Sequence, residues 1–250
     1  MKNKNRWIII IIFPLLAIST VLIIWLLMQE TEYQYLYSSE YQFDPLKLDE
    51  ENLEFILLDN KELPNNTNIE KEFSNWSEED FYLLVKKFYK LVLSDDLSLW
   101  NLNQINFFTN CENIGDGFHG MHSQYFKIDR DGISFNKLHR YIFVSLEDKK
   151  IKVIEEKYSV IPIWEKINLS KIVYSAADVL KSADTNGGYD RRQTTNNNCD
   201  VSVTLSPNSP KIQGWLVTYY SEESNNNGST ILFENQYSPF KGVVLPIPTK

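Results

Sequence analysis

The chain has 250 residues, with 25 Lys and Arg against 33 Asp and Glu, and its formal net charge is -8 at pH 7. An acidic chain lacks the basic surface that nucleic acids and anionic lipid headgroups require, so neither is an expected partner. Fourteen Tyr, fourteen Phe and six Trp supply apolar surface for a core, which indicates a globular rather than a disordered protein.

An uncharged segment, Trp7–Met28, follows a short basic N-terminus. A helix of this length, at about 1.5 Å per residue, spans a bilayer core of about 30 Å. The basic residues Lys2, Lys4 and Arg6 place the N-terminus in the cytoplasm by the positive-inside rule. A cleaved signal peptide is the alternative, although its apolar region would be shorter. We therefore predict a cytoplasmic tail (1–6), a single-pass anchor in the cell membrane (Trp7–Met28), and a C-terminal domain outside the cytoplasm.

Residues 29–75 are predicted to form a stalk or linker with short strands, because tyrosines alternate along its first part. A first α+β module is predicted over 76–160. Its helix begins at Ser77, which has an acid three residues later as in a capping box, and continues to about Ser94. The apolar side chains of this helix fall on one face: Phe81, Leu84, Val85, Phe88, Leu91 and Val92. The strands of the module are predicted at 100–108, at 122–129 and at 140–160, where LEDKKI forms a hairpin turn between two alternating strands.

A second α+β module is predicted over 161–250. Its helix begins near Asn168 or Ser170 and ends at Gly187 and Gly188, since glycine favours the left-handed conformation that ends helices. Strands are predicted at 189–195, 199–205, 214–221 and 229–237, separated by turns rich in Asn, Ser and Pro. The predicted fold class is α+β, with one N-terminal transmembrane helix followed by two modules of a helix and an antiparallel sheet.

The two predicted modules have the same order of elements. Ser77 and Ser170 are 93 residues apart, and the two cysteines are 88 apart. These similar spacings indicate an internal duplication. Two unrelated halves are the alternative, because few residues are identical between them.

Cys111 and Cys199 are the two cysteines of the chain. Both belong to the part predicted to lie on an oxidising side of the membrane, so we predict a disulfide between them. Two buried free thiols are the alternative. The spacing of the pair fits neither a CxxC redox motif nor a zinc cluster.

The C-terminal third resembles a PepSY-type module. The resemblance covers roughly 169–245 and rests on a helix that ends in AD-x-NGG, on Trp215, Val217 and Tyr219, and on the final SPFKGVVL segment. Gly242 and Val244 match the final motif, whereas Ser238 and Lys241 stand where Asp and Thr are expected. PepSY modules are small α+β domains outside the cytoplasmic membrane, and several are implicated in restraining peptidases or in envelope interactions. The resemblance implies a binding module and carries over no catalytic residue.

Motifs for chemistry are scarce in this sequence. His119 and His122 lie in the segment GFHGMH, which reads as a loop, and no carboxylates accompany them or His139 at the spacing of a metal site. A calcium loop that began at Asp184 would need Gly and Glu where other residues stand. The sequence contains no nucleophile elbow, phosphate-binding loop, HExxH motif or dinucleotide fingerprint. We predict no catalytic, cofactor-binding or metal-binding residue, and no cofactor.

The function predicted from these observations is that of a membrane-anchored, extracytoplasmic binding or interaction protein without catalytic activity. Its expected partners are the membrane, through Trp7–Met28, and a protein of the membrane or envelope. An envelope hydrolase that uses carboxylates is the alternative, because the many acidic residues could include a catalytic pair.

Overall fold

The computed structural model describes residues 18–20, 33–58, 75–131, 134–159, 166–209, 212–221, 230–239 and 244–245. The helices are α1 (Glu78–Leu91), α2 (Ala176–Ala183) and α3 (Tyr189–Gln193). The strands are β1 (Tyr33–Gln42), β2 (Ile56–Leu57), β3 (Asn101–Asn110), β4 (Gly120–Asp131), β5 (Ser134–Ser145), β6 (Lys150–Ser159), β7 (Asp200–Ser209), β8 (Ile212–Ser221), β9 (Thr230–Tyr237) and β10 (Val244–Leu245).

All of these strands belong to one antiparallel sheet. Its order is β10-β9-β8-β7-β3-β4-β5-β6-β1-β2. Strands that follow one another in the chain are neighbours in the sheet, except for β2 and β3 and for β6 and β7. In their place, β3 pairs with β7 and β1 pairs with β6. The predicted fold class of two separate modules is therefore wrong, because backbone pairing between β3 and β7 continues one sheet through the chain.

The transmembrane part of that prediction also finds no support. No helix within the described ranges is long and apolar enough to cross a membrane. The predicted span, Trp7–Met28, lies outside the described residues except for the short helical piece 18–20.

Helix α1 forms because its sequence begins and repeats as a helix requires. Ser77 and Asp80 make a reciprocal capping box, with Asp80 N–H donating to Ser77 Oγ at 3.3 Å and Ser77 N–H donating to Asp80 Oδ2 at 3.0 Å. Four apolar residues of the predicted face are fully buried: Phe81, Leu84, Val85 and Phe88. Leu91 departs from the prediction, since it is 43% exposed in the last turn.

Helix α2 begins later than predicted. Asn168 caps a short 3-10 turn, Leu169–Lys171, and the α-helical start is Ser175, which forms a second capping box with Asp178. The predicted start is wrong because the Asn168 side-chain oxygen accepts from the Ser170 N–H and caps only this single turn. Such a cap forms on an isolated turn as readily as on a helix. Val173, which the predicted start would have placed inside the helix, therefore precedes it and is 68% exposed.

The segment predicted as a strand at 189–195 is mainly helix α3. Helix α2 ends where Thr185 Oγ1 and Asn186 Nδ2 donate to carbonyls of the last turn at 2.9 and 2.8 Å, and Gly187 has a φ of +109°. The chain bends there but then continues as a helix. Arg192 closes this bend by donating from Nε to Asp184 Oδ1 at 2.8 Å. The predicted glycine stop is thus a kink between two helices.

Side chains on the strands alternate between a helix-facing side and an outer face. The helix-facing side packs on α1 and α2 and forms one core together with them. Its strand residues are Leu102, Ile105, Phe107, Met121, Tyr125, Ile142, Val144, Ile151, Val153, Val201, Val203, Leu205, Trp215, Val217, Tyr219 and Tyr237.

The two capping boxes of α1 and α2 have a different spacing from the one used in the predicted duplication. The capping residues Ser77 and Ser175 are 98 residues apart, whereas the prediction used Ser170 and a separation of 93. The duplication itself stays a prediction.

Candidate functional site

A groove opens beside the start of α1, on the helix-facing side of β3 and β4. Its volume is about 430 Å³. The lining is mainly aromatic and aliphatic, with a few uncharged polar groups and one lysine. The lining residues are Tyr82, Leu97, Trp100, Asn101, Leu102, Tyr125, Lys166, Ile167, Asn168, Leu169 and Ser170.

The wall formed by Trp100 is held rigidly by a buried charge network. Trp100 Nε1 donates to Asp95 Oδ2 at 2.8 Å, and the Arg140 guanidinium lies 4.0 Å from the centre of a Trp100 ring. Arg140 also donates from Nε to Glu155 Oε2 at 2.8 Å and bonds Asp95 from NH1 at 3.1 Å. Both carboxylates therefore fix the guanidinium, which in turn fixes the indole.

The opposite rim comes from a distant part of the chain. Ile167 N–H donates to the Leu102 carbonyl at 2.8 Å, so the backbone near residue 167 extends along the start of β3. The capped turn Leu169–Lys171 follows and forms the lip. Leu169 itself is 44% exposed, so an apolar side chain stands at the mouth of the groove.

The phenols of the groove are neutral at physiological pH. Burial raises the pKa of Tyr125 to about 12. Burial also raises the pKa of Tyr82, and the nearby Glu78 carboxylate adds to that rise. The groove therefore offers hydroxyl groups and ring faces rather than phenolate charge, which suits a largely apolar ligand.

Glu78 lies one helical turn before Tyr82 and joins the starts of two helices. Its Oε1 accepts from the Ala177 N–H, in the first turn of α2, at 3.0 Å. The residue is buried, and this desolvation raises the pKa of its carboxyl from the ordinary 4.5 to about 7. The N–H donors of Ala177 and Ala176 favour the charged form, while Glu79 and Asp178 disfavour it. Burial outweighs the donors.

The raised pKa of Glu78 predicts a loss of stability as the pH rises. A carboxyl whose folded pKa lies above its unfolded pKa stabilises the fold fully below pH 4.5, and this contribution is lost as the pH rises through 7. At about 1.4 kcal/mol per unit, the loss amounts to up to about 3 kcal/mol. We expect the free energy of unfolding of Glu78→Gln, which keeps an acceptor oxygen, to rise relative to that of the parent protein as the pH is raised from 5 to 8. Urea titrations of both proteins measure this difference.

Leu46→Gln is the control, because Leu46 is 87% exposed and the substitution neither adds nor removes a titratable group. Its stability difference from the parent protein should stay nearly constant over the same pH range. A difference for Glu78→Gln that fails to grow with pH would show that the Glu78 carboxyl titrates normally in the folded protein.

The predicted disulfide between Cys111 and Cys199 is present. Cys111 follows β3 and Cys199 precedes β7, and the Cys111 N–H also donates to the Cys199 carbonyl at 2.7 Å. Arg192 donates to the Cys111 carbonyl at 3.4 Å. The sheet contains two meanders of consecutive strands, β3–β6 and β7–β10, which meet where β3 pairs with β7. The disulfide fastens one end of this β3–β7 seam and lies apart from the groove lining.

The other residues considered for chemistry do not come together. His122 and His139 lie on neighbouring strands, not in a loop as predicted for His122, whereas His119 precedes β4. Asp184 forms an ion pair with Arg192. No group of three or more His, Cys, Asp or Glu side chains in the described ranges is arranged to hold a metal ion.

The residues that carry the PepSY resemblance have structural roles in β8. Trp215, Val217 and Tyr219 are fully buried on the helix-facing side, and Trp215 Nε1 donates to the Tyr174 carbonyl at 3.0 Å. Comparison with protein-family models, curated proteins and solved structures finds no match. The PepSY resemblance therefore stays a prediction.

Sequence reasoning missed the groove and the residues that support it. Trp100 and Ile167 belong to segments far apart in the chain, and they line the same groove only in the folded protein. Arg140 gave a weak signal. It begins the segment 140–160 and lies on the same face of the strand as the buried residues Ile142 and Val144. An arginine on the apolar side of a strand indicates a paired, buried charge.

Proposed function

We propose that this protein works outside the cytoplasm and binds a small apolar ligand, or an apolar side chain of a protein partner, in the groove beside α1. The groove is the observation that carries this proposal, since a concave, mostly apolar site with a few polar groups is typical of ligand binding. The disulfide supports the location, because such bonds persist in oxidising compartments. A PepSY-like role in restraining an envelope protein would agree with both.

The rival function is that of an envelope hydrolase using carboxylates. Glu78 is the observation that favours it, because a carboxyl with a pKa of about 7 suits a general acid. Glu78 is buried, however, and bonds the start of α2. The groove lining, as far as the described residues show it, contains no carboxylate, imidazole or thiol. Turnover of a cell-wall or peptide substrate that is lost in Glu78→Gln would establish the rival.

A direct test uses the uncharged aromatic probe N-phenyl-1-naphthylamine, whose fluorescence rises in apolar sites. We expect the protein to bind this probe, and Leu169→Asp to weaken the binding at least tenfold, about 1.4 kcal/mol. The reason is that a carboxylate at the lip makes entry of an apolar ring unfavourable. Leu169 is 44% exposed, so the substitution leaves the fold intact.

Val173→Asp is the matched control, because Val173 lies four residues away, is 68% exposed and does not line the groove. Its probe affinity should equal that of the parent protein. Failure of the parent protein to bind the probe, or an equal loss in both variants, would contradict the assignment of the groove as a binding site. In-cell crosslinking through a photoreactive residue at position 169 would then identify the natural partner of a groove that passes this test.

A further inference from the structure

The outer face of the sheet carries a second cluster that neither the core nor the groove explains. We name it the amide–imidazole patch and define it by Asn103, Asn106, His122, Gln124 and Phe143. Asn106 pairs with His122 across β3 and β4, and His122 pairs with Phe143 across β4 and β5. Side chains directly opposite one another lie on the same face and within contact distance.

The patch lies on the side of the sheet away from α1 and α2. Asn106 stands between Ile105 and Phe107, both fully buried on the helix-facing side. The same alternation separates His122 from its buried neighbour Met121. The patch and the groove are therefore on opposite faces of β3 and β4.

Three polar atoms of the patch have no partner. Among the described residues, Asn103 Oδ1, Asn106 Oδ1 and His122 Nε2 are buried without a hydrogen bond. Leaving such a group unsatisfied costs about 1–3 kcal/mol, and such atoms are few in folded proteins. A bound molecule that supplied the missing bonds to these three atoms would remove this cost.

Gln124 shows that the rest of the patch is ordered. It accepts from Asn103 Nδ2 at 3.3 Å and lies 2.9 Å from His139 Nδ1 through its own Nε2. This chain of bonds leaves the Asn103 carbonyl oxygen as a free acceptor. The two Asn side chains thus present acceptors, whereas His122 Nε2 either donates or accepts according to its tautomer.

The patch is uncharged and partly aromatic. Burial lowers the pKa of His122, and burial together with Lys137 lowers the pKa of His139 to about 4, against the opposing effect of Glu156. Both imidazoles are therefore neutral at pH 7. The ring of Phe143 lies parallel to that of His122 with 4.3 Å between centroids, and Phe143 is 37% exposed. An exposed ring rotates within nanoseconds, so it can give access to the atoms beneath it.

We propose that the amide–imidazole patch binds an uncharged polyhydroxylated ligand, that is, a glycan. Hydroxyl groups both donate and accept, so they satisfy the two Asn oxygens and either tautomer of His122. The C–H faces of a sugar ring pack on the exposed Phe143 ring. A charged ligand would find no opposite charge among the five side chains that define the patch. A peptide N–H can donate a hydrogen bond but cannot accept one, whereas a hydroxyl group does both.

The test uses chitotriose and maltotriose, titrated into the full chain and followed by isothermal titration calorimetry and protein NMR. We expect at least one to bind, and Asn106→Leu to weaken the binding about tenfold. The same substitution should raise the melting temperature by a few degrees, because it removes an unsatisfied buried amide. A residue with a purely structural role would move stability without moving glycan affinity.

Thr218→Ala is the control, because Thr218 lies on the outer face of β8, away from the patch. It should bind the saccharide like the parent protein. Phe143→Ala provides a second variant, since its exposed ring can be removed without opening the core, and it should also weaken binding.

The proposal is overturned if neither saccharide binds, or if both patch variants bind the saccharide as the parent protein does. A neutral tetrapeptide that binds with the same dependence on Asn106 and Phe143 also overturns it in favour of a peptide site. The groove test with N-phenyl-1-naphthylamine is independent, because Leu169 lies on the other face of the sheet.

Discussion

Replacement of both Cys111 and Cys199 by Ala is expected to lower the free energy of unfolding by about 4.5 kcal/mol. The bond closes a loop between residues 88 apart in sequence, and the chain-entropy model gives this value for a loop of that length. Such a loss is a large fraction of the 5–15 kcal/mol that stabilises a typical domain. Urea unfolding of the oxidised parent protein and of the double variant at one pH measures it.

Two comparisons make the disulfide experiment decisive. The parent protein treated with a reductant should unfold at the same urea concentration as the double variant, because both lack the same cross-link. Phe118→Leu changes a buried core residue but keeps the bond, so reductant should still destabilise it. Equal unfolding midpoints for oxidised and reduced parent protein would contradict the predicted stabilisation.

Replacement of Arg140 by Met is expected to cost about 3 kcal/mol of folding free energy, the lower end of the range for breaking a buried pair, because it leaves two partly buried carboxylates without their cation. The Arg140 side chain is only 7% exposed, and its partners Asp95 and Glu155 are 24% and 12% exposed. The substitution also removes the guanidinium stacked on Trp100, so affinity for the groove probe should fall. Chemical unfolding and probe titration measure the two effects.

Lys152→Met is the matched control for Arg140→Met. Lys152 pairs with Glu40 at 3.3 Å, but the two side chains are 42% and 41% exposed, so the loss should stay below about 1 kcal/mol. Combining Arg140→Met with Glu155→Leu should restore part of the lost stability, since one unpaired carboxylate then disappears. A similar cost for the Lys152 and Arg140 variants would show that the Arg140 network contributes no more than a surface pair.

Local patterns predicted the individual elements better than their assembly. The Ser77 capping box and the apolar spacing after it located α1, and alternation located most strands. The prediction of a strand at 189–195 failed because its polar residues follow two glycines. The glycines indicated the end of a helix, although the chain only bends there and then continues as α3. The start of α2 was predicted wrongly because three possible capping residues lie within eight positions: Asn168, Ser170 and Ser175.

Pairing between distant strands had no local signal. Alternation shows which residues of β3 face the core, but it does not show that β7 is the neighbour. The predicted pair of modules was therefore wrong, even though the strands themselves were recognised. The groove was missed for the same reason. Its two sides come together only when Ile167, far along the chain, bonds the Leu102 carbonyl.

The strand order also has a consequence for the rate of folding. Hairpins between consecutive strands form through short loops, whereas the β3–β7 pairing joins residues 90 to 100 positions apart, and such non-local pairings are slow. The two meanders should therefore collapse first and dock afterwards. Until they dock, the sulfurs of Cys111 and Cys199 remain apart, so the native disulfide of a reduced chain forms only after the β3–β7 pairing has brought them together.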